Sequence, residues 1–372
     1  MKKNVGIINF HYSKHNYGAV LQAAALSHVI ENHSIDVEHI NYIPKASYPS
    51  FIGRVKELLL TLFTKLYIIK LIYKKPLATN YNVFENFRNK WLRVSSYTYM
   101  NKIELYKSNL PYTHVIVGSD QVWRVSYTVD NALVYFLDFC DSKIKKISYA
   151  ASFGIDKWED SEYTEDARLL LQKFDSISVR EHSGINICKQ EFGVDAIHVL
   201  DPTLLAGKDF FEKIISSANS NKNITNKIVY YKLDVDNEFK MQVENISNIL
   251  KCDNENIYYK NIFYGYKYNT VYEWLAKISS AELIITDSFH CICLSILFNK
   301  EFVCISNKFR GNSRLDSLFE QLGITGHVFN EDSEQSLSDF VSNMEKINYS
   351  DVNQRLGELR KSSMKFLLDS LT

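Results

Sequence analysis

Short apolar runs, each ending in small or polar residues and each followed by a helical pattern, recur along most of the chain. "NVGIINF" reads as a strand, "YGAVLQAAALSHVIENH" as a helix and "IDVEHINYI" as a second strand. "THVIVGSD", "KKISYAASFG", "SISVRE" and "AIHVLDPT" continue the series. Strands alternating with helices can bury both faces only as a layered α/β structure around parallel sheets. After "DPTLLAGKDF" the pattern starts again with "KIVYYKL", "NIYYKN", "ELIITD" and "FVCIS" separated by helices. This is a second doubly wound unit.

A chain of 372 residues exceeds what one hydrophobic core ordinarily serves, so two domains are expected. The alternation puts a first domain over 1–205 and a second over 206–350. A charged, helical tail begins near Asp332, and its last part, 351–372, is expected to fold back on the first domain. The 43 basic residues balance 43 acidic ones, so no global field draws the chain to nucleic acid. Six scattered cysteines without a CxxC pair, and an N-terminal stretch lacking a long apolar segment, point to a reducing cytoplasm. No stretch has the roughly 18 apolar residues of a membrane span. Residues 51–75, "FIGRVKELLLTLFTKLYIIKLIYKK", mix apolar residues with Arg54, Lys56, Lys65 and Lys70. That pattern suits either a helix packed on its own domain or a basic amphipathic helix resting on the inner face of a membrane.

Ligands of open α/β sheets collect at the carboxyl ends of strands, so the polar strand ends are the candidate sites. In "AELIITDSFHCICLSILF" a buried strand runs into Asp287, Ser288 and His290 and then into a helix. A helix start offers free N–H groups and a positive dipole end to an anion. Capping accounts for Asp287 or Ser288 but not for His290, which favours a site. Lys308, Arg310 and Arg314 follow the strand "FVCIS", where Arg310 first and Lys308 second are candidates to clamp a carboxylate or phosphate. Arg180 ends the strand of "SISVRE" and either faces the cleft as a clamp or pairs with Glu181 or Asp201.

"FHYSKHNYGAV" places Asn16, Tyr17 and Gly18 between strand and helix, with Gly18 allowing close approach of a ligand. It carries no GxGxxG, so dinucleotide binding has little support. In "VGSDQVW", Ser119, Asp120, Gln121 and Trp123 combine carboxylate, amide and ring, a set that suits a sugar; a helix cap is the competing account. No nucleophile elbow, Walker loop, HExxH or carboxylate cage is present, so neither metal nor cofactor is implied.

In order, "GIINFHYSKHNYGAVLQAAAL", "YTHVIVGSDQVW", "KKISYAASFG", "SISVREHSG", "VLDPTLL", "EWLAKISSAELIITDSFHCICLSILFNKEFVCISN" and "RLDSLFEQLGI" resemble the polysaccharide pyruvyl transferase family over most of the chain. The resemblance implies two Rossmann-like domains facing a cleft, similar to GT-B glycosyltransferases. It implies transfer of an enolpyruvyl-derived group from phosphoenolpyruvate, as donor substrate, onto two hydroxyls of a sugar. The acceptor would be a sugar nucleotide, a lipid-linked glycan or a polysaccharide. The family's donor site carries over to Arg180, His290, and Arg310 or Lys308, with Ser288 beside them. His290 would act as general acid, oriented by Asp287; alternatively His290 binds phosphate while Asp120 deprotonates the acceptor. Asn16, Tyr17, Gly18, Ser119, Asp120, Gln121 and Trp123 would take the acceptor. Cys291 stands where members usually carry Gly, and its side chain is expected to narrow the anion pocket or alter donor choice. A nucleotide-sugar glycosyltransferase and a non-catalytic glycan-binding protein are the two rival classes.

Overall fold

The apolar runs become the central strands of two parallel sheets. The computed structural model describes residues 3–44, 77–80, 82–218, 227–262, 265–306 and 313–372. Segment 51–75, and with it the expected membrane contact, lies outside the described residues. So do Lys308 and Arg310.

The first sheet contains β1 (Asn4–Ile8), β2 (Asp36–His39), β4 (His114–Val117), β5 (Lys145–Ala151), β6 (Ser176–Val179) and β7 (Ile197–His198), in the order β2-β1-β4-β5-β6-β7. Every pairing in it is parallel. The second contains β8 (Ile228–Tyr231), β9 (Asn254–Asn256), β12 (Leu283–Thr286), β13 (Glu301–Ile305) and β14 (Val328–Phe329), ordered β14-β13-β12-β8-β9 and also parallel throughout. The α/β class with two doubly wound, Rossmann-like sheets is thus what the strand order shows. A small third sheet joins β3 (Leu77–Ala78), β10 (Tyr259–Ile262) and β11 (Gly265–Tyr268).

In each large sheet the chain reverses its winding direction once, between β1 and β4 in the first and between β8 and β12 in the second. Such a reversal leaves a crevice outside the carboxyl ends of the strands. The loops after β1, β4, β8 and β12 are therefore the ones available to build a site.

Two helices that are apolar on all sides join the halves. Helix α1 (Tyr17–Glu31) follows β1, and helix α2 (Phe289–Leu297) follows β12; nearly every residue of both is buried. A helix without a polar face has to be covered all round. The two meet, and residues of both belong to one large apolar core. Tyr17 anchors it: its ring stacks on Trp274, 4.8 Å between centroids and 3° from parallel, and its hydroxyl donates to the Asn269 carbonyl at 2.7 Å. The C-terminal helix α3 (Tyr349–Ser370) contributes Val352 and Leu356 to that core. Leu367 and the following Leu371 pack with Val5 and Ile7 of β1. Among the described residues, no helix is long and apolar enough to cross a membrane.

Candidate active site

At the end of β12 the Thr286 hydroxyl donates to the carbonyl of Tyr231 on neighbouring β8 at 2.6 Å and accepts the Ser288 N–H at 3.1 Å. This ties the two strands at the reversal point and sets the turn into α2, whose N-cap is Ser288. Asp287, Ser288, Phe289 and His290 then line a hollow of about 340 Å³. His15 and Asn16 from the loop after β1, and Asp120 and Gln121 from the loop after β4, line its opposite side. Arg314, in the helix Ser313–Leu322, completes it.

Beneath the hollow lies a buried carboxylate that gathers distant parts of the chain. Asp201 is 1% exposed. Its Oδ1 accepts the Thr203 N–H at 2.9 Å, capping the helix Pro202–Ala206. Its Oδ2 lies 2.8 Å from the Ser119 hydroxyl, 2.9 Å from Arg180 Nη1 and 3.6 Å from His290 Nε2. Burial pushes this carboxyl up, but His290, Arg180 and the Thr203 N–H outweigh burial and hold it well below the usual carboxylate range. The carboxylate facing His290 is therefore ionised across the neutral range.

Two guanidiniums approach the Phe289 ring, Arg180 at 4.5 Å and Arg314 at 5.8 Å from its centroid. Burial, with Arg180 nearby, lowers Arg314 to about 10, and Glu181 and Asp120 counter part of that. Arg314 stays a cation at neutral pH. Asp120, a buried residue lining the hollow, holds φ of 78°, a left-handed conformation that costs a non-glycine residue energy and is often retained at working sites.

Several expectations change. Arg180 does not open onto the hollow: its side chain is 1% exposed, and Asp201 and Asp120 (3.4 Å) take its terminal nitrogens. It pairs and supports, and Arg314 is the described cation that lines the hollow. Asp287 lines the hollow too, but the carboxylate nearest His290 Nε2 is Asp201. Trp123 is no acceptor platform: it is fully buried, stacks on Phe136 and donates its indole N–H to the Tyr135 carbonyl at 2.9 Å. Tyr17 and Ser119 are equally inaccessible, one committed to the core and the other to Asp201. Cys291 turns into the core and does not narrow the hollow. Asn16 both caps α1, accepting the Ala19 N–H at 3.2 Å, and lines the hollow. Asp201 was legible only as a partner for Arg180, although "VLDPT", an Asp-Pro pair closing a strand, is a signal for a cap at a sheet end.

Gly18 admits a side chain rather than a ligand. A Cβ built there would lie 2.1 Å from His290 Nδ1, inside any real contact distance. Alanine otherwise favours a helix over glycine by about 1 kcal/mol. Gly18→Ala is therefore expected to leave α1 formed and to push the imidazole aside. Circular dichroism checks the helix, and the His290 imidazole resonances in an NMR spectrum check the displacement.

The fold and the hollow define a two-sheet α/β protein whose polar cleft joins a cation, a helix start and a carboxylate-backed imidazole at facing strand ends. Residues 16–308 match the family described as polysaccharide pyruvyl transferase, and the chain belongs to that family, a family of transferases. No curated protein matches the chain. Among solved structures it is similar to UDP-GlcNAc 2-epimerase from Neisseria meningitidis bound to UDP-GlcNAc, at 10% identity over 99% of this chain and 100% of that one, TM-score 0.49. It is also similar to UDP-GlcNAc 2-epimerase from Methanocaldococcus jannaschii in complex with UDP-GlcNAc and UDP, at 13% identity over 96% and 99%, TM-score 0.48. A third is Phytolacca americana UGT2 complexed with UDP-2fluoro-glucose and pterostilbene, at 9% identity over 100% and 99%, TM-score 0.47.

Proposed function

We propose that the chain transfers the enolpyruvyl-derived group of phosphoenolpyruvate onto two hydroxyls of a sugar in a surface polysaccharide or its precursor, releasing phosphate and leaving a pyruvate ketal. One observation carries this reading: Arg314, the open N–H groups of α2 and His290 share a hollow of about 340 Å³. A small donor with two anionic groups needs such a set, since a guanidinium meets carboxylate or phosphate oxygens in pairs and a helix start takes the other group.

His290 delivers a proton to the methylene carbon of phosphoenolpyruvate, and the neighbouring carbon becomes cationic. A sugar hydroxyl attacks that carbon. The carbon–phosphate-oxygen bond breaks, and a second hydroxyl closes the ring. Of the two hydroxyl protons, one restores His290 and the other leaves with phosphate. Asp201 holds the imidazole, and Asp120, lining the opposite side of the hollow, takes up the second hydroxyl's proton and passes it to the departing phosphate.

Incubating the protein with phosphoenolpyruvate and a panel of sugar nucleotides and glycan fragments tests this directly. Acceptor-dependent phosphate release and a mass gain equal to a pyruvate ketal are expected. Consumption of a sugar nucleotide with indifference to phosphoenolpyruvate would instead select a glycosyltransferase.

A further inference from the structure

We propose that the acceptor is an uncharged oligosaccharide whose chain, beyond the reacting sugar, runs from the His290 hollow past Tyr127 into an aromatic trough, where Tyr127 sets the preference for length. This rests on the reading of the hollow given above, and it selects among the acceptor types left open there.

Two further hollows continue the first. One, of about 440 Å³, shares His15, Asn16, Asp120 and Tyr127 with it. The next, of about 220 Å³, shares Phe10, Tyr12 and Tyr127 with the second. Tyr127 lines all three, so they form one path leading away from His290.

The rings along this path are held in place. Tyr127 is 52% exposed, yet the Arg124 guanidinium lies 4.5 Å from its ring centroid and Arg124 Nη1 lies 3.2 Å from its hydroxyl. Gln121 in turn accepts from Arg124 Nη1 at 3.0 Å. One face of Tyr127 is thereby taken by a cation, and a ligand meets the other. Phe10 stands edge-on to Tyr135 at 5.2 Å, and the Tyr12 hydroxyl lies 3.5 Å from that of Tyr135. Arg88 fastens the loop carrying both by donating to the Ser13 carbonyl at 3.0 Å.

Fixed aromatic faces alternating with Ser13, Asn16 and Asn131 suit a sugar chain, whose C–H faces cover rings and whose hydroxyls reach amides. The charge pattern argues against a nucleoside diphosphate in the trough. Among the described residues its charged lining groups are Lys14, Asp120 and Asp130, and burial lowers His15. Two phosphates would need clustered cations. The described cation of the site, Arg314, sits in the inner hollow.

Binding without donor tests this. The probes are immobilised mono- to tetrasaccharide fragments of uncharged bacterial polysaccharides, with UDP-sugars as soluble competitors. Tetrasaccharides are expected to bind about tenfold tighter than the matching monosaccharides, the scale of one ring contact. Tyr127→Ala should lose that length preference, and Tyr127→Phe should keep it. Equal binding at every length, absence of binding to any fragment, a length preference surviving in Tyr127→Ala, or displacement of the tetrasaccharides by UDP-sugars would each overturn the proposal. Length preference without pyruvyl transfer would remove the chemistry and leave the trough. Transfer without length preference would do the reverse.

Discussion

Asp201→Ala is expected to destabilise the protein by about 3–5 kcal/mol, the cost of removing one partner from a buried ion pair. The carboxylate receives Arg180, faces His290, holds the Ser119 hydroxyl and caps the helix Pro202–Ala206. Its loss leaves the Arg180 guanidinium, 1% exposed, with the weaker Asp120 contact at 3.4 Å. Urea unfolding of the single variant and of a double variant that also carries Arg180→Met measures the coupling. The double variant should recover much of the loss, because the charge left unpaired has gone too. A full 3–5 kcal/mol loss retained in the double variant would assign the cost to the cap and packing instead.

The same carboxylate governs acid stability. Its folded proton affinity lies below that of the unfolded chain, where an aspartate titrates near pH 3.9. Unfolded molecules therefore bind more protons in acid, and stability rises with pH through that region. The contribution is complete above about pH 5 and is lost as pH falls through the folded value. Asp201→Asn keeps the shape and removes the titration, so its stability should fall less steeply in acid than that of the parent. Parallel acid limbs for the two proteins would show that Asp201 is not the group responsible.

His290→Ala is expected to lower acceptor-dependent phosphate release by about 10²–10⁴-fold, the range of a general acid. Asp201 keeps Arg180, Ser119 and the Thr203 N–H in that variant, so folding should survive, which a thermal melt verifies. His290→Gln separates two roles. A glutamine still donates a hydrogen bond to phosphate but cannot protonate carbon. If His290 is the acid, kcat in the Gln variant should be as low as in the Ala variant. If it only binds phosphate, Gln should restore most of the turnover and the effect of Ala should fall on KM. Near-normal turnover with Ala removes His290 from the mechanism.

How much of this was readable in advance depended on the range of the interaction. The strands "NVGIINF" and "ELIITD" and the polar strand ends follow from neighbours within a few residues, as does the helix after "ELIITD", which begins at Phe289, two residues before the expected "CICLSILF". Orientation did not follow. A place after a strand tells which end of the sheet a residue occupies, but not which way its side chain turns. Trp123 and Tyr17 therefore looked like ligand groups and are core groups. Arg180 and Arg314 showed the same ambiguity in reverse. Both follow strands of their own sheets; Asp201 and Asp120 hold Arg180 off the hollow, while Arg314 lines it.

By itself, the order of amino acids determined two doubly wound layers and, at residues 287–290, a turn into a helix start suited to an anion. Periodicity, capping and burial of apolar runs act locally, so these could be read along the chain. The packing of α1 against α2 decided the rest. It seats His290 on Gly18 and brings it to the buried point where Ser119, Arg180 and Asp201 of the first sheet meet. Contacts between residues that far apart in the chain exist only once both sheets have formed and their shared apolar helices have closed the gap between them.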